Sequence, residues 1–226
     1  MEIGVEVPPS TKGRFLRRVS SLIGKVDFIS IPDSPFGRPA SSFALATLLK
    51  LIGVEAVPHY RLIDRNELAL LSEMIGISEL GIRRVLLVRG DPPEVGRPTG
   101  LDPVRAITLI KEREVPLELG VASSLRPNDR LKMKLEAGAD FVITQPIQRV
   151  EEVRPLAEFL GDIPLYTMLM LTLNELDESV LRAIKIEKVL EVDYGALLDE
   201  LRESGLVKGV LISSPKSPSR VFDLLR

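Results

Sequence analysis

Eight times along this chain a short apolar run stops at a turn and gives way to a stretch with helical spacing, and that repeat limits the fold more than any other feature. The runs fall at residues 1–7, 27–31, 54–60, 85–88, 116–122, 141–145, 163–171 and 207–213. The first alternates, with Ile3, Val5 and Val7 on one face and Gly4 and Glu6 on the other. The fourth, Val85-Leu86-Leu87-Val88, is apolar throughout between flanking arginines, as a strand buried on both faces should be. It ends in Arg89-Gly90-Asp91, where Gly90 permits a sharp turn or a close approach to a ligand.

The intervening stretches carry helical stripes. Phe15, Leu16, Val19, Leu22 and Ile23 form the first, opened by Ser10 or Thr11 as cap. Leu45, Leu48, Leu49 and Ile52 form the second, stopped by Gly53. The third is expected to open with a capping box at Asp64-Arg65-Asn66-Glu67 and to pack its core through Leu68, Leu71, Met74 and Ile75. Asp102-Pro103 starts the fourth, with Asp as cap and Pro in the first turn. Residues 172–204 read as two helices broken near Asp193-Tyr194-Gly195. No linker or shift of composition interrupts the 226 residues, so one domain over residues 1–226 is expected. Eight βα units in one domain predict an α/β fold, a closed (β/α)₈ TIM barrel. An open doubly wound sheet is the alternative; against it, no Gly-x-Gly occurs, so the dinucleotide fingerprint is missing.

Composition narrows the chemistry. Thirty basic and 32 acidic residues leave a net charge of −2, which gives no reason to expect a nucleic-acid partner. Without cysteine there is no disulfide, thiolate metal site or catalytic thiol. His59 is the single histidine, too few for a protein zinc site, and no metal is expected. The start of the chain has neither a basic segment nor an apolar signal run, and no run of 18 apolar residues occurs, so the expected setting is the cytoplasm without a membrane contact. The absence of Cys and Trp, with Gln145 and Gln148 the only glutamines, leans toward a thermophile.

In a parallel barrel, ligands bind at the carboxyl ends of the strands. Those ends carry Glu6, Ser30, His59, Asp91, Ala122, Gln145 and Ser213. Each has a plainer reading. Asp91 can be a surface turn residue, His59 after Pro58 can simply end a strand, and Gln145 is an uncharged polar terminus. Asp64 and Asn66 read as helix-start residues, and Lys132 and Lys134 as solvated helix charges. Glu6 is the hardest to explain structurally, because a lone carboxylate on an inward face is costly to bury.

Several segments together resemble the methylenetetrahydrofolate reductases. Val5-Glu6-Val7-Pro8-Pro9 is similar to their opening strand, and Pro58-His59-Tyr60 with Asp64-Arg65-Asn66 to their third-strand segment. Residues 81–93, from Gly81 through Arg89-Gly90-Asp91-Pro92-Pro93, resemble their fourth strand closely, and residues 132–145, Lys132 to Gln145, their sixth. Val207-Lys208-Gly209-Val210 suits their last strand. The resemblance implies a flavoprotein of one-carbon metabolism and methionine biosynthesis that reduces 5,10-methylenetetrahydrofolate, or a methanopterin-type relative, to the 5-methyl form by ping-pong hydride transfer. It implies Glu6 as general acid, Asp91 between flavin and pterin, and Gln145 on the pterin. His59, Arg89, Gly90, Ala122 and Lys134 would hold FAD or FMN, with Lys134 against a phosphate and NAD(P)H as reductant. The chain departs from the family pattern in the loop from Pro32 to Pro39 and in Ser123 to Asn128, where the family's aromatic and histidine are missing. The alternative is a flavin-poor pterin-binding subunit that takes electrons from a partner protein. Assembly is left between a homo-oligomer and such a partner complex.

Overall fold

Each expected strand forms in the computed structural model, which describes residues 1–34, 40–91, 97–184, 186–217 and 219–225. They are β1 (Glu2–Glu6), β2 (Phe28–Ile31), β3 (Ala56–Arg61), β4 (Arg84–Val88), β5 (Glu118–Ser123), β6 (Phe141–Pro146), β7 (Leu165–Met170) and β8 (Gly209–Ser213). All neighbours pair in parallel, and β8 pairs back onto β1, so the sheet closes into a barrel in chain order. Helices wrap it: α1 (Lys12–Ser20), α2 (Ser42–Leu51), α3 (Glu67–Glu79), α4 (Pro103–Glu112), α5 (Asp129–Glu136), α6 (Arg154–Leu160), α7 (Glu178–Ala183), α8 (Tyr194–Ser204) and α9 (Ser219–Leu224). Among the described residues, no helix is long and apolar enough to cross a membrane.

Strand alternation creates two apolar compartments. Outward-facing Val5, Ile29, Val85, Leu87, Val121 and Ile212 pack beneath the helices. The barrel interior is a separate cluster of Phe28, Val57, Leu86, Phe141, Ile143, Tyr166 and Leu211. Three of these are aromatic, and each lies opposite a glycine in register on the adjacent strand: Phe28 by Gly4, Phe141 by Gly120, Tyr166 by Gly209. A Cβ at Gly4 or Gly120 would come within 2.2 Å of the facing ring, and one at Gly209 within 2.8 Å of Tyr166. The missing side chains are the space the rings occupy. Tyr166 meets Phe28 and Phe141 edge-on at 5.9 and 5.8 Å, a favoured geometry for such rings. Below them Arg84 pairs with Glu2 at 2.9 Å, lies 4.7 Å over the Phe28 ring, and is joined by the Tyr166 hydroxyl, which donates to Glu2 at 3.1 Å. The floor of the barrel is thus plugged, and the remaining polar interior positions lie at the carboxyl ends.

Four local expectations need correction. In α3 the inward stripe is Leu70, Met74 and Ile77; Leu68 and Ile75 are 79% and 45% exposed, and Leu71 is half-buried. This helix is apolar on nearly every side, so its periodicity has no contrast from which to read a phase. Its cap is Asn66, whose side chain accepts from the Ala69 amide at 2.8 Å, while Asp64 is held by Arg61 instead. Ile23 and Ile52 lie past the ends of α1 and α2 and are half exposed. Residues 172–204 give a single 3₁₀ turn at Leu173–Glu175 and the short α7, and residues 186–193 are irregular; Asp193 caps α8, accepting from Gly195 and Ala196. Parts of two expected loops, residues 35–39 and 92–96 with Pro92 and Pro93, lie outside the described residues.

Candidate active site

Four consecutive strands, β8, β1, β2 and β3, each bring one polar side chain to the inner face at the carboxyl end. Glu6 is in register with Ser30. The Ser213 hydroxyl donates to Glu6 Oε1 at 2.8 Å, and Ser30 Oγ shares a proton with His59 Nε2 at 2.8 Å. Burial pushes the Glu6 carboxyl above its ordinary pKa, and the single bond from Ser213 draws it only partly back. Burial drives His59 down to about 4, so the imidazole is neutral at pH 7. Its main-chain carbonyl accepts from Ser42 Oγ at 2.6 Å, tying β3 to the first turn of α2. This arc therefore holds a carboxyl that resists ionisation beside an imidazole that resists protonation.

The next strand end differs. Arg89 and Asp91 are exposed, and Gly90 between them has φ +80°, a conformation that glycine adopts without strain. A Cβ there would meet the Arg61 stem at 2.2 Å, so glycine also makes room for that arginine. Arg89 contributes its carbonyl to the Ile63 amide at 2.9 Å, a link between the segments that follow β3 and β4.

Beyond β5 and β6 opens a cleft of about 520 Å³ whose walls include Ala122, Ser123, Asn128, Arg130, Lys134 and Gln145. Three residues chosen from the sequence, Ala122, Lys134 and Gln145, meet here. Asn128 caps α5 by accepting from the Leu131 amide at 3.0 Å, which directs that helix's first turn into the cleft. Lys134 Nζ donates to the Ala122 carbonyl at 2.8 Å. Burial, and then the neighbouring Arg130 charge, hold its pKa below the ordinary lysine value, so Lys134 is not a freely solvated helix charge. The structure does not bring His59, Arg89 or Asp91 into this lining. The cleft volume is in the range of small-ligand sites.

Sequence reasoning passed over Arg130 and Ser123, and also a charged cluster above β2 and β3. There Asp33 accepts from the Arg61 amide at 3.2 Å and from Ser34 Oγ at 3.0 Å, with Arg65 at 3.7 Å. Burial pushes the Asp33 carboxyl up despite these partners. Arg65 also lies 5.5 Å over the Tyr60 ring. A signal existed: Arg61, Asp64 and Arg65 follow a buried strand directly. Among the described residues no group of His, Asp and Glu is arranged to hold a metal ion.

No family model matches the chain. It is 27% identical over 137 residues to a 5,10-methylenetetrahydrofolate reductase of Pectobacterium carotovorum subsp. carotovorum, an alignment covering 57% of this chain and 46% of that protein. The match thus spans about half the length of the relative. Among solved structures, tryptophan synthase of Mycobacterium tuberculosis superposes with a TM-score of 0.62 at 12% identity, over 99% of this chain and 86% of that one. A 2,3-dimethylmalate lyase of the PEP mutase/isocitrate lyase superfamily gives 0.62 at 14%, over 94% and 75%. Both likenesses establish the fold, a TIM barrel, and the sequence match is to a reductase.

Proposed function

We propose that the protein is a flavin-dependent reductase that converts 5,10-methylenetetrahydrofolate, or a related methylene-pterin, to its 5-methyl form. The observation that carries this reading is Glu6: a half-buried, desolvated carboxyl with a raised pKa at the barrel mouth, bonded to one serine. Opening the five-membered ring of a methylene-pterin to an iminium needs a proton, and a carboxyl whose proton affinity is raised by desolvation is a group suited to supply one. Gln145 offers both a donor and an acceptor to a pterin edge, and Asp91 an acceptor for its amino group. The chain's partial similarity to a methylenetetrahydrofolate reductase supports the same substrate class.

The cleft beside β5 suits the phosphate-bearing end of a flavin nucleotide, since Lys134 and Arg130 supply two cations against the one carboxylate of Asp129, and Asn128 caps the helix that faces it. Lys134 and Ala122 would hold that end, with His59, Arg89 and Gly90 toward the ring. A flavin held there would supply hydride chemistry between NAD(P)H and the substrate. A second reading, a pterin-binding subunit that takes electrons from a partner protein, is favoured by one feature: among the described residues, the cleft's lining contains no aromatic side chain on which an isoalloxazine ring could stack. Reconstitution with FAD and with FMN, then gel filtration, separates the two. Yellow protein supports the flavoenzyme; colourless protein from both reconstitutions rejects it for the isolated chain.

A further inference from the structure

Along β6 the pairing with β7 slips by one residue. Ile143 stands opposite Tyr166, yet Pro146 stands opposite Met168, so three steps along β6 match two along β7. In an unbroken ladder Gln145 would face Met168. The extra residue makes this a β-bulge, a device that re-aims a side chain. Pro146 suits the place because it has no amide to donate, and the ladder resumes where the Ile147 amide donates to the Met168 carbonyl at 3.0 Å. The residue re-aimed is Gln145, which lines the cleft together with Ala122 and Lys134 of the β5 side.

Two hydroxyls hold the bulge. Thr144 Oγ1 donates to the Gln145 carbonyl at 2.6 Å, accepts from the Met168 amide at 3.2 Å and lies 3.0 Å from Thr167 Oγ1. Its one proton goes to Gln145, so Thr167 is the donor between the two threonines, and every site of the Thr144 hydroxyl is in use. Thr144 and Thr167 are buried, on the side of the sheet that faces the helices, where their neighbours Val142 and Leu169 are apolar. Valine at either position would bury the same shape with no hydroxyl to satisfy. The hydroxyl is instead placed at the break in register, directly on the main chain of Gln145. We infer that Thr144 is a positioning residue: its hydroxyl, braced by Thr167, fixes the bulge that turns Gln145 into the cleft, and so sets the affinity for the pterin. This rests on the reading of Gln145 as a pterin contact.

Calorimetric titration of the full chain with 5-methyltetrahydrofolate, the product of the proposed reaction, tests this. Gln145→Ala should weaken binding, and Thr144→Val should weaken it roughly tenfold, the worth of one well-placed hydrogen bond. Thr144→Ser keeps the hydroxyl and should bind like wild type. Thr167→Val removes only the brace and should weaken binding less; it carries the test where Thr144→Val does not fold. The deciding measurement is a double-mutant cycle: in a Gln145→Ala background, Thr144→Val and Thr167→Val should change the affinity no further. A threonine with a merely structural role would lower the affinity equally in both backgrounds. That result, or threonine variants that bind like wild type, overturns the inference while leaving Gln145 as a pterin contact. Wild-type affinity in Gln145→Ala, or no binding by the wild-type chain, removes the pterin contact itself and the inference with it.

Discussion

The two halves of the barrel mouth are built differently. From β8 through β3 the polar groups are inside, paired in advance and shifted in proton affinity: Ser213 with Glu6, Ser30 with His59. From β4 through β6 they are at the rim: Arg89 and Asp91 exposed, Arg130 and Lys134 on the wall of an open cleft. Desolvation without a counter-ion shifts proton affinity, whereas charges at the rim stay available to a ligand. One half is suited to holding a proton in place, and the other to binding a charged molecule.

The largest effect that would break this contrast is at Glu6. Glu6→Gln keeps the shape and the Ser213 contact but removes the acid. Slowing of the pterin half-reaction by roughly 10² to 10⁴, about 3–5 kcal/mol of barrier, is expected in stopped-flow absorbance, with flavin reduction by NAD(P)H near wild type. Because the Glu6 pKa lies above the ordinary carboxyl value, the pterin half-reaction should decline as pH rises through that pKa. Equal slowing of both half-reactions would place Glu6 in the binding half.

Lys134→Met probes the other half. Losing one charge-assisted contact should weaken flavin retention roughly ten- to hundredfold in a fluorescence titration, with no change in unfolding free energy beyond about 1 kcal/mol. Unaltered retention would remove the cleft from the cofactor site.

A smaller effect sharpens the buried half. In the fold His59 protonates only near pH 4, against about 6.5 in the unfolded chain, so the unfolded state gains the proton first as pH falls. The contribution is complete above pH 6.5 and is lost between about 6.5 and 4, by at most about 1.4 kcal/mol per pH unit. Ser30→Ala should cost a further 1–2 kcal/mol, roughly, by leaving the imidazole without its partner. Denaturant unfolding across that pH range, compared with His59→Gln, measures both; identical pH slopes in the two proteins would show that His59 is not the group concerned.

The smallest stability effect belongs to Asp91. Asp91→Asn removes a rim charge, so thermal stability should move by no more than about 0.5 kcal/mol while pterin affinity falls. A large loss of stability with normal pterin kinetics would make it a structural turn residue.

How much of this was legible depends on which physical signal each feature left behind. The strands were read to within two residues at each end because a strand buried on both faces leaves a continuous apolar run. The Asp102 cap was also readable, since it accepts from the Arg105 amide three residues on. The phase of α3 was not, because its apolar residues are spread around the axis and leave little contrast between one face and another. The strand-end rule picked out Glu6, Ser30, His59, Asp91, Ala122, Gln145 and Ser213 as candidates, but not which of them would meet.

The repeat of eight apolar runs and the composition decided the barrel, because burial of a strand is written into its own residues. The partners were decided only by closure. Ser30 and His59 are 29 residues apart, Ser213 and Glu6 are 207 apart, and the second pair exists because β8 returns to lie beside β1. The proton affinities of Glu6 and His59 follow from the same closure, since desolvation depends on what surrounds a group in space, and that is not a property of its neighbours in the chain.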